Sequence, residues 1–543
     1  MKKLFFLLMA LSTLASFAQK TERPKLVVGI VVDQMRYDYL VRFADKFGDD
    51  GFKKIISKGF HLENAHYNYI PTYTAVGHSS IFTGTTPSNH GIIGNNWYDK
   101  FLKKSIYCVD DSRYTSLGVA SKAGQKSPYR LHVTTIADQL KLAQNNKGKS
   151  IGIAIKDRSA ILPVGHTANA AYWFEGGKEG KFISSSFYGE ALPSWVTNFN
   201  SNGKVASYVN QVWNTYYPIE NYTESMVDDN MYEGKFKGEE KPVFPHDIPT
   251  LKNTNGNYSI LKGIPLGNTI TTDFAEAAIV GENLGKYSVT DFLSISYSST
   301  DYVGHKYGVD SKEIEDTYIR MDFEIARLLK FLDKQVGKKK YTLFLTADHA
   351  VAQTPNYLKE LHIPAAYFDD KGFNAFVKQL VNEKFGSKEL IENISNYQIF
   401  LNKKKLKELK LSSRVVEEFL VDEVVAFENI YKTVSAHTLQ NTYFDAGLLS
   451  LVQRGYNQKL SGDVFFIPNP ATLSSGYKHT GTSHGTGYSY DTHVPMIFYG
   501  FGINQGSSKK YQAITAIAPT ISSLLQIEFP NGNTGTVIEE VLK

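Results

Sequence analysis

Four places along the chain put aspartate or histidine where a β-rich apolar run meets polar residues. Residues 26–32 run into Asp33, and residues 292–297 lead to Asp301, with His305 four positions on. Residues 341–346 lead to the adjacent pair Asp348 and His349, and His484 comes shortly before the apolar run 494–499. These are carboxylate oxygens and imidazole nitrogens with no thiolate among them. That mixture suits zinc in an open, catalytic site better than a closed structural one. Taken singly, each has an ordinary explanation: an aspartate ending a strand caps a turn, and a Gly-His pair belongs to a loop. The weight lies in the set, because a doubly wound sheet brings such strand ends along one edge.

Two further segments bear on phosphate chemistry. Small residues after Pro71 predict a loop entering a helix near Thr74. A hydroxyl there sees free N–H groups and the positive end of the helix dipole, which favour an alkoxide and a phosphoryl group. The same hydroxyl also reads as an N-cap. His78 is a conceivable base for it, but activation by a metal is preferred, since a bound cation lowers the hydroxyl pKa without a base. The second segment is Lys156-Asp157-Arg158, directly after the apolar run 151–155. It reads either as a surface charge trio or as a cationic pair for phosphate oxygens, which arginine engages bidentately.

The elements that must position these residues follow from the pattern. Apolar runs without alternation suit strands buried on both faces, as in a parallel sheet. Helical periodicity lies between them. It is clearest over 310–334, where Asp310 can cap and Ile314, Tyr318, Met321, Ile325, Leu328 and Leu332 recur at spacings of three and four. Residues 134–144 and 372–383 are shorter helical candidates. Strands alternating with helices predict an α/β fold with a doubly wound, mostly parallel central sheet flanked by helices. Two stretches break the rhythm, about 167–268 and about 353–478, and read as inserted cap segments on a single catalytic domain spanning 19–543. The run Lys403-Lys404-Lys405 reads as a solvated helix face.

Composition narrows the class. With 34 Tyr and 33 Phe among 543 residues, the chain has material for a large core, and its net charge of +5 lacks the basic bias of a nucleic-acid binder. Lys2, Lys3, the apolar stretch 4–17 and the small residues before Ala18 read as a signal peptide over 1–18. The product is then periplasmic or secreted, with no membrane span. Cys108 stands alone and cannot close an internal disulfide; it reads as a small buried residue. Nothing demands a partner chain, so a monomer is expected.

The motifs LVVGIVVDQMRYDYL, PTYTAVGHSSIFTG, HGIIGNNWYD, KDRSAILPVGH, STDYVGH, TADHA, GTSH and YDTHVPM together resemble the alkaline phosphatase superfamily. More narrowly they resemble its PafA-type alkaline phosphatases, exported monoesterases with a threonine nucleophile. The resemblance covers essentially the whole mature chain. It implies that Asp33, Asp348 and His349 hold one zinc, with Thr74 as fourth ligand and nucleophile. Asp301, His305 and His484 would hold a second Zn2+. Asn95 would donate to a phosphoryl oxygen, with its neighbour Asn96 a rival, and Lys156 and Arg158 would stabilise the phosphoryl group. His493 and Asp491 are expected to orient ligands. Two zincs about 4 Å apart stabilise the attacking and leaving oxygens of an in-line displacement. The implied function is hydrolysis of small phosphate monoesters through a phosphothreonine intermediate at Thr74.

Two alternatives stand beside it. A nucleotide pyrophosphatase/phosphodiesterase would share the ligands, but Lys156 and Arg158 argue for the extra charge of a monoester over the second substituent of a diester. A non-catalytic binding protein on the same scaffold would be missing ligands, and all seven are present.

Overall fold

A computed structural model describes residues 22–477 and 480–543. The proposed signal peptide lies outside the described residues. In chain order the framework begins with β1 (Leu26–Val32), β2 (Phe60–His66) and helix α1 (Thr74–Thr83). Next come β3 (Ser150–Ala154), α2 (Asp157–Ile161), β4 (Ala170–Glu175) and β5 (Lys181–Ser185). It continues with α3 (Leu266–Gly281), β6 (Asp291–Tyr297), α4 (Ser299–Tyr307), α5 (Lys312–Leu332), β7 (Tyr341–Thr346) and β8 (His493–Gly500).

The main sheet is ordered Gly506–Ser508, β2, β8, β7, β1, β6, β3, β4, β5 and Ser116–Leu117, with Gln512–Ala513 also paired to β2. Strands β7, β1, β6, β3 and β4 are mutually parallel. Every residue of β1, β6 and β7 is buried, which is why these runs show no polar alternation. Val31 pairs with both Thr346 and Ser296, and Ser296 with Ala154, so four parallel strands end level with one another. Strand β8 runs antiparallel to β7, so the loop entering β8 reaches the same edge. The predicted mostly parallel, helix-flanked α/β sheet is therefore present, with its site edge at the carboxyl ends of its strands.

Helix α1 is buried on all sides and packs Phe82 against Phe292 and Phe344 of the sheet, at ring-centroid distances of 6.1 and 5.7 Å. Helix α5 matches its predicted periodicity, but its cap is Ser311, whose hydroxyl accepts from the Ile314 N–H at 3.1 Å. Asp310 instead pairs with Arg42 at 2.6 Å. The helix expected near 134–144 runs Ile136–Ala143 with a Thr135/Asp138 capping box, and that expected near 372–383 runs Asp370–Phe385.

The first inserted stretch starts later than its composition implied, because β4 and β5 inside it are strands of the main sheet. The second forms a four-stranded sheet of its own, ordered Ile391–Ser395, Gln398–Leu401, Val464–Pro468 and Ile430–Ser435, over a separate apolar core. Lys404 of the charge run is solvated, as expected for a helix face, while Lys403 pairs with Asp463. Among the described residues no helix is long and apolar enough to cross a membrane.

Candidate active site

Thr74 is the first residue of α1, with Tyr73 as the extended N-cap, so its hydroxyl does not serve as the cap. It is 1% exposed. The N–H of Ala75, one of the helix's unpaired donors, is taken by the Asn95 side-chain oxygen at 2.8 Å. That bond leaves the Asn95 NH2 group to donate elsewhere. Asn96 is exposed and lies in the hairpin strand that follows, so Asn95 is the amide seated at the helix start. His78 turns its Nδ1 to the Thr74 carbonyl at 2.8 Å and its Nε2 to Ser296 at 3.0 Å, so it does not engage the Thr74 hydroxyl.

Two groups of metal-competent side chains lie beside Thr74. Asp33, Asp348 and His349 form one; Asp301, His349 and His484 form the other. His349 belongs to both because its ring stacks on His484 with 3.4 Å between centroids. His305 stands at the rim, with Nε2 3.1 Å from Asp301. The histidines share one feature. His349 Nδ1 meets the Ala350 carbonyl at 3.0 Å, His305 Nδ1 the Thr482 carbonyl at 2.8 Å, and His484 Nδ1 the Thr72 carbonyl at 2.7 Å. Each main-chain acceptor fixes a proton on Nδ1 and leaves the Nε2 lone pair for a ligand. Burial holds His349 and His484 below the ordinary imidazole pKa, and in His484 the neighbouring imidazoles add to it, so both stay neutral.

The carboxylates complete the case for cations. Lys156 Nζ lies 2.6 Å from Asp301 and 2.8 Å from Asp33. Burial alone would lower its pKa, but the two carboxylates outweigh burial and raise it. A third buried aspartate, Asp348, lies close to Asp33. Burial, with the nearby Asp348, pushes Asp33 well above the carboxylate range. Asp33 Oδ1 and Asp348 Oδ2 have no hydrogen-bond partner. Orphaned carboxylate oxygens in a dry pocket are costly unless a cation compensates them. The donor set of aspartate oxygens and neutral Nε2 atoms therefore fits bound metal.

Arg158 reaches Thr74 Oγ1 with NH2 at 3.5 Å, and donates through NH1 to the Tyr107 phenol at 3.0 Å. That phenol in turn donates to Asp157. The structure thus brings Thr74, Asn95, Lys156, Arg158 and the carboxylate and imidazole ligands to one edge of the sheet. Cys108 is buried, and burial pushes its thiol pKa up, away from the thiolate a catalytic role requires.

The type I phosphodiesterase / nucleotide pyrophosphatase family matches residues 27–491. Alkaline phosphatase PafA of Elizabethkingia meningoseptica is 43% identical over 97% of this chain and 96% of its own length. A solved structure of wild-type alkaline phosphatase PafA superposes with a TM-score of 0.92 at 42% identity, over 97% of this chain and all of that one. The chain belongs to the PafA-type alkaline phosphatases. A protein of Myroides odoratus named calcium-transporting ATPase is equally close, at 44% identity over 97% of this chain and 96% of its length.

Within this family fold, several site contacts carry no motif-level signal. Gln34 follows Asp33 at φ +66°, donates its N–H to Asp348 at 3.1 Å and its side-chain amide to Asp301 at 2.6 Å. It ties the two carboxylate groups together, and a single glutamine offers nothing in sequence to mark it. The expectation for His493 is corrected. Its Nε2 meets the Glu63 carbonyl at 3.0 Å and its ring stacks between Tyr37 and His66, away from the ligands. An aromatic stack fits an imidazole at a strand start as well as a ligand contact does, so its motif could not separate them. Asp491 accepts from the N–H groups of Gly485 and Thr486, shaping the turn after His484, and burial raises its pKa to about 7.

Gly77 sets how closely α1 approaches the ligand loop. A Cβ there would lie 2.0 Å from the Asp348 carbonyl oxygen. Gly77→Ala is expected to destabilise the fold by roughly 1–3 kcal/mol through overpacking. By displacing Thr74 it is also expected to cut kcat/KM about 10²-fold. Denaturant unfolding and steady-state kinetics check both; unchanged kinetics in the folded variant would show that this approach does not position the hydroxyl.

Proposed function

We propose that the chain is an exported, two-zinc alkaline phosphatase that hydrolyses phosphate monoesters through Thr74. The observation that carries this reading is the fixed tautomer of the three histidines. It leaves three Nε2 atoms free for ligands among three buried carboxylates, with that of His349 3.5 Å from the hydroxyl of Thr74, the first residue of a helix.

Asp33, Asp348 and His349 would hold one metal ion beside Thr74; Asp301, His305 and His484 would hold the other. When bound, zinc ions supply the positive charge that lowers the pKa of the threonine hydroxyl and of water and compensates the leaving oxygen. The chain's own groups do the rest. Thr74 Oγ1 gives up its proton and attacks phosphorus; the bond to the leaving oxygen breaks as the new one forms, giving phosphothreonine and the free alcohol. Water then attacks the phosphothreonine and returns Thr74 with inorganic phosphate. Asn95 and Arg158 donate to the phosphoryl oxygens, and the free N–H groups of α1 favour the negative charge that gathers there. Lys156 holds Asp33 and Asp301 in place and adds its charge to the same field. The terminal phosphoryl of ATP is likewise a phosphate with one bridging substituent, so the ATPase in the name of the Myroides relative falls within the same chemistry.

A phosphodiesterase uses a similar centre, and the family match includes that activity in its description. The two readings part at Lys156, a buried cation, and Arg158, a half-buried one, which together favour the extra charge of a monoester. The Lys156→Ala/Arg158→Ala double variant is expected to lose about 10²–10³-fold in kcat/KM for an aryl phosphate monoester, the scale of losing preorganised donors to a developing charge. Its turnover of the matching diester is expected to change far less, with metal content preserved. A wild-type enzyme that prefers the diester would give the phosphodiesterase reading precedence.

A further inference from the structure

A cavity of about 250 Å3 lies where the second inserted segment meets the mouth of the site. Its wall on the catalytic side is Tyr73, the residue before Thr74, whose ring stands edge-on to His484 at 5.9 Å. The facing wall is aromatic and comes from the insertion. Phe373 and Phe466 pack together at 4.5 Å and are buried, while Tyr397 projects from the turn between strands Ile391–Ser395 and Gln398–Leu401.

That turn is built to reach the site. Asn396 and Tyr397 have φ of +52° and +59°, the two-residue hairpin geometry whose twist matches its strands. Asn396 donates its side-chain amide to the Asn96 carbonyl at 2.6 Å, next to Asn95. The hairpin tip is thus pinned on one flank of Thr74 at Asn96 and faces Tyr73 across the cavity on the other. A substituent leaving from a phosphoryl group on Thr74 has this aromatic recess as a neighbour.

We propose that this cavity is a leaving-group subsite for a planar heteroaromatic ring, the base of a nucleoside monophosphate. The inference rests on Thr74 being the nucleophile. The volume falls below the roughly 300–1,000 Å3 of pockets that enclose drug-sized ligands, so it admits a ring and not a whole nucleotide. Phe373 and Phe466 form the closed floor, while the half-buried rings of Tyr73 and Tyr397 are the surfaces that attract a base by stacking whatever its sequence identity. Asn374 in the wall offers an amide that donates to and accepts from a base edge, which a purely apolar recess would not. Glycerol has no ring to stack on Tyr73 or Tyr397, and only the polar part of the lining (Asp370, Asn374, Ser395, Asn396 and Ser474) is open to its hydroxyls.

The test compares adenosine monophosphate with glycerol phosphate on the metal-replete, full-length enzyme. Wild type is expected to favour the nucleotide in kcat/KM by about 10-fold, within the range of a base–aromatic contact. Asn374→Trp fills the recess from a half-buried position without removing a core ring, and is expected to erase that preference while leaving glycerol phosphate within about twofold. Tyr397→Ala, which removes a wall instead, is expected to give the same selective loss. Equal wild-type activity on both esters, or a parallel loss on both in the two variants, overturns the subsite and leaves the monoesterase reading standing. Failure of wild type to hydrolyse either ester overturns both.

Discussion

Thr74→Ala is expected to lower kcat/KM for a phosphate monoester by at least about 10³-fold, the scale on which deleting a nucleophile acts. The hydroxyl is buried, lies within 3.5 Å of both His349 Nε2 and the Arg158 guanidinium, and sits at the start of a helix. Thr74→Ser keeps the oxygen and the helix geometry and is expected to retain most of the activity. The pair separates a nucleophile from a packing residue: a structural role would tolerate alanine, which is smaller and a better helix former. Steady-state kinetics on both variants, with metal content measured alongside, checks the expectation.

Metal removal is expected to have an effect as large. Two buried aspartates share one ammonium with Asp348 close by, and Asp33 Oδ1 and Asp348 Oδ2 accept no hydrogen bond. A chelator that strips the ions leaves those charges uncompensated. Activity is expected to fall at least about 10³-fold, since the nucleophile loses the charge that lowers its pKa. Unfolding free energy is expected to fall by about 4 kcal/mol, the contribution of ligands held at about a thousand times their dissociation constant. Readdition of zinc is expected to restore both quantities, followed by elemental analysis and thermal unfolding. Full activity in protein shown to be metal-free would contradict the assignment of these carboxylates.

Much of this site was legible in the sequence because parallel strands write themselves plainly. Strands β1 and β7 need apolar residues on both faces, so their runs stop where Asp33 and Asp348 take over, and their bounds match the expected 26–32 and 341–346. Level strand ends then bring the ligands together. What stayed hidden depends on contacts rather than periodicity. Gln34 acts through one backbone N–H and one amide, and no spacing announces either. Asn95 is seated by the N–H of Ala75, a contact between segments 20 residues apart, and only family resemblance pointed to it. Asp310 and Ser311 are both good caps, and the neighbouring Arg42 settles the choice by claiming Asp310. Strands β4 and β5 were obscured because the Tyr, Trp, Asn and Gly of the cover that follows dominate the composition of that stretch.

The central claim is that phosphate passes through Thr74. The most direct measurement is an acid quench of the enzyme during turnover of a labelled monoester at low pH, followed by peptide mapping. Phosphate is predicted on the peptide containing Thr74, absent from Thr74→Ala. Turnover with no covalent phosphate in wild type, or with phosphate on another residue, would contradict the account.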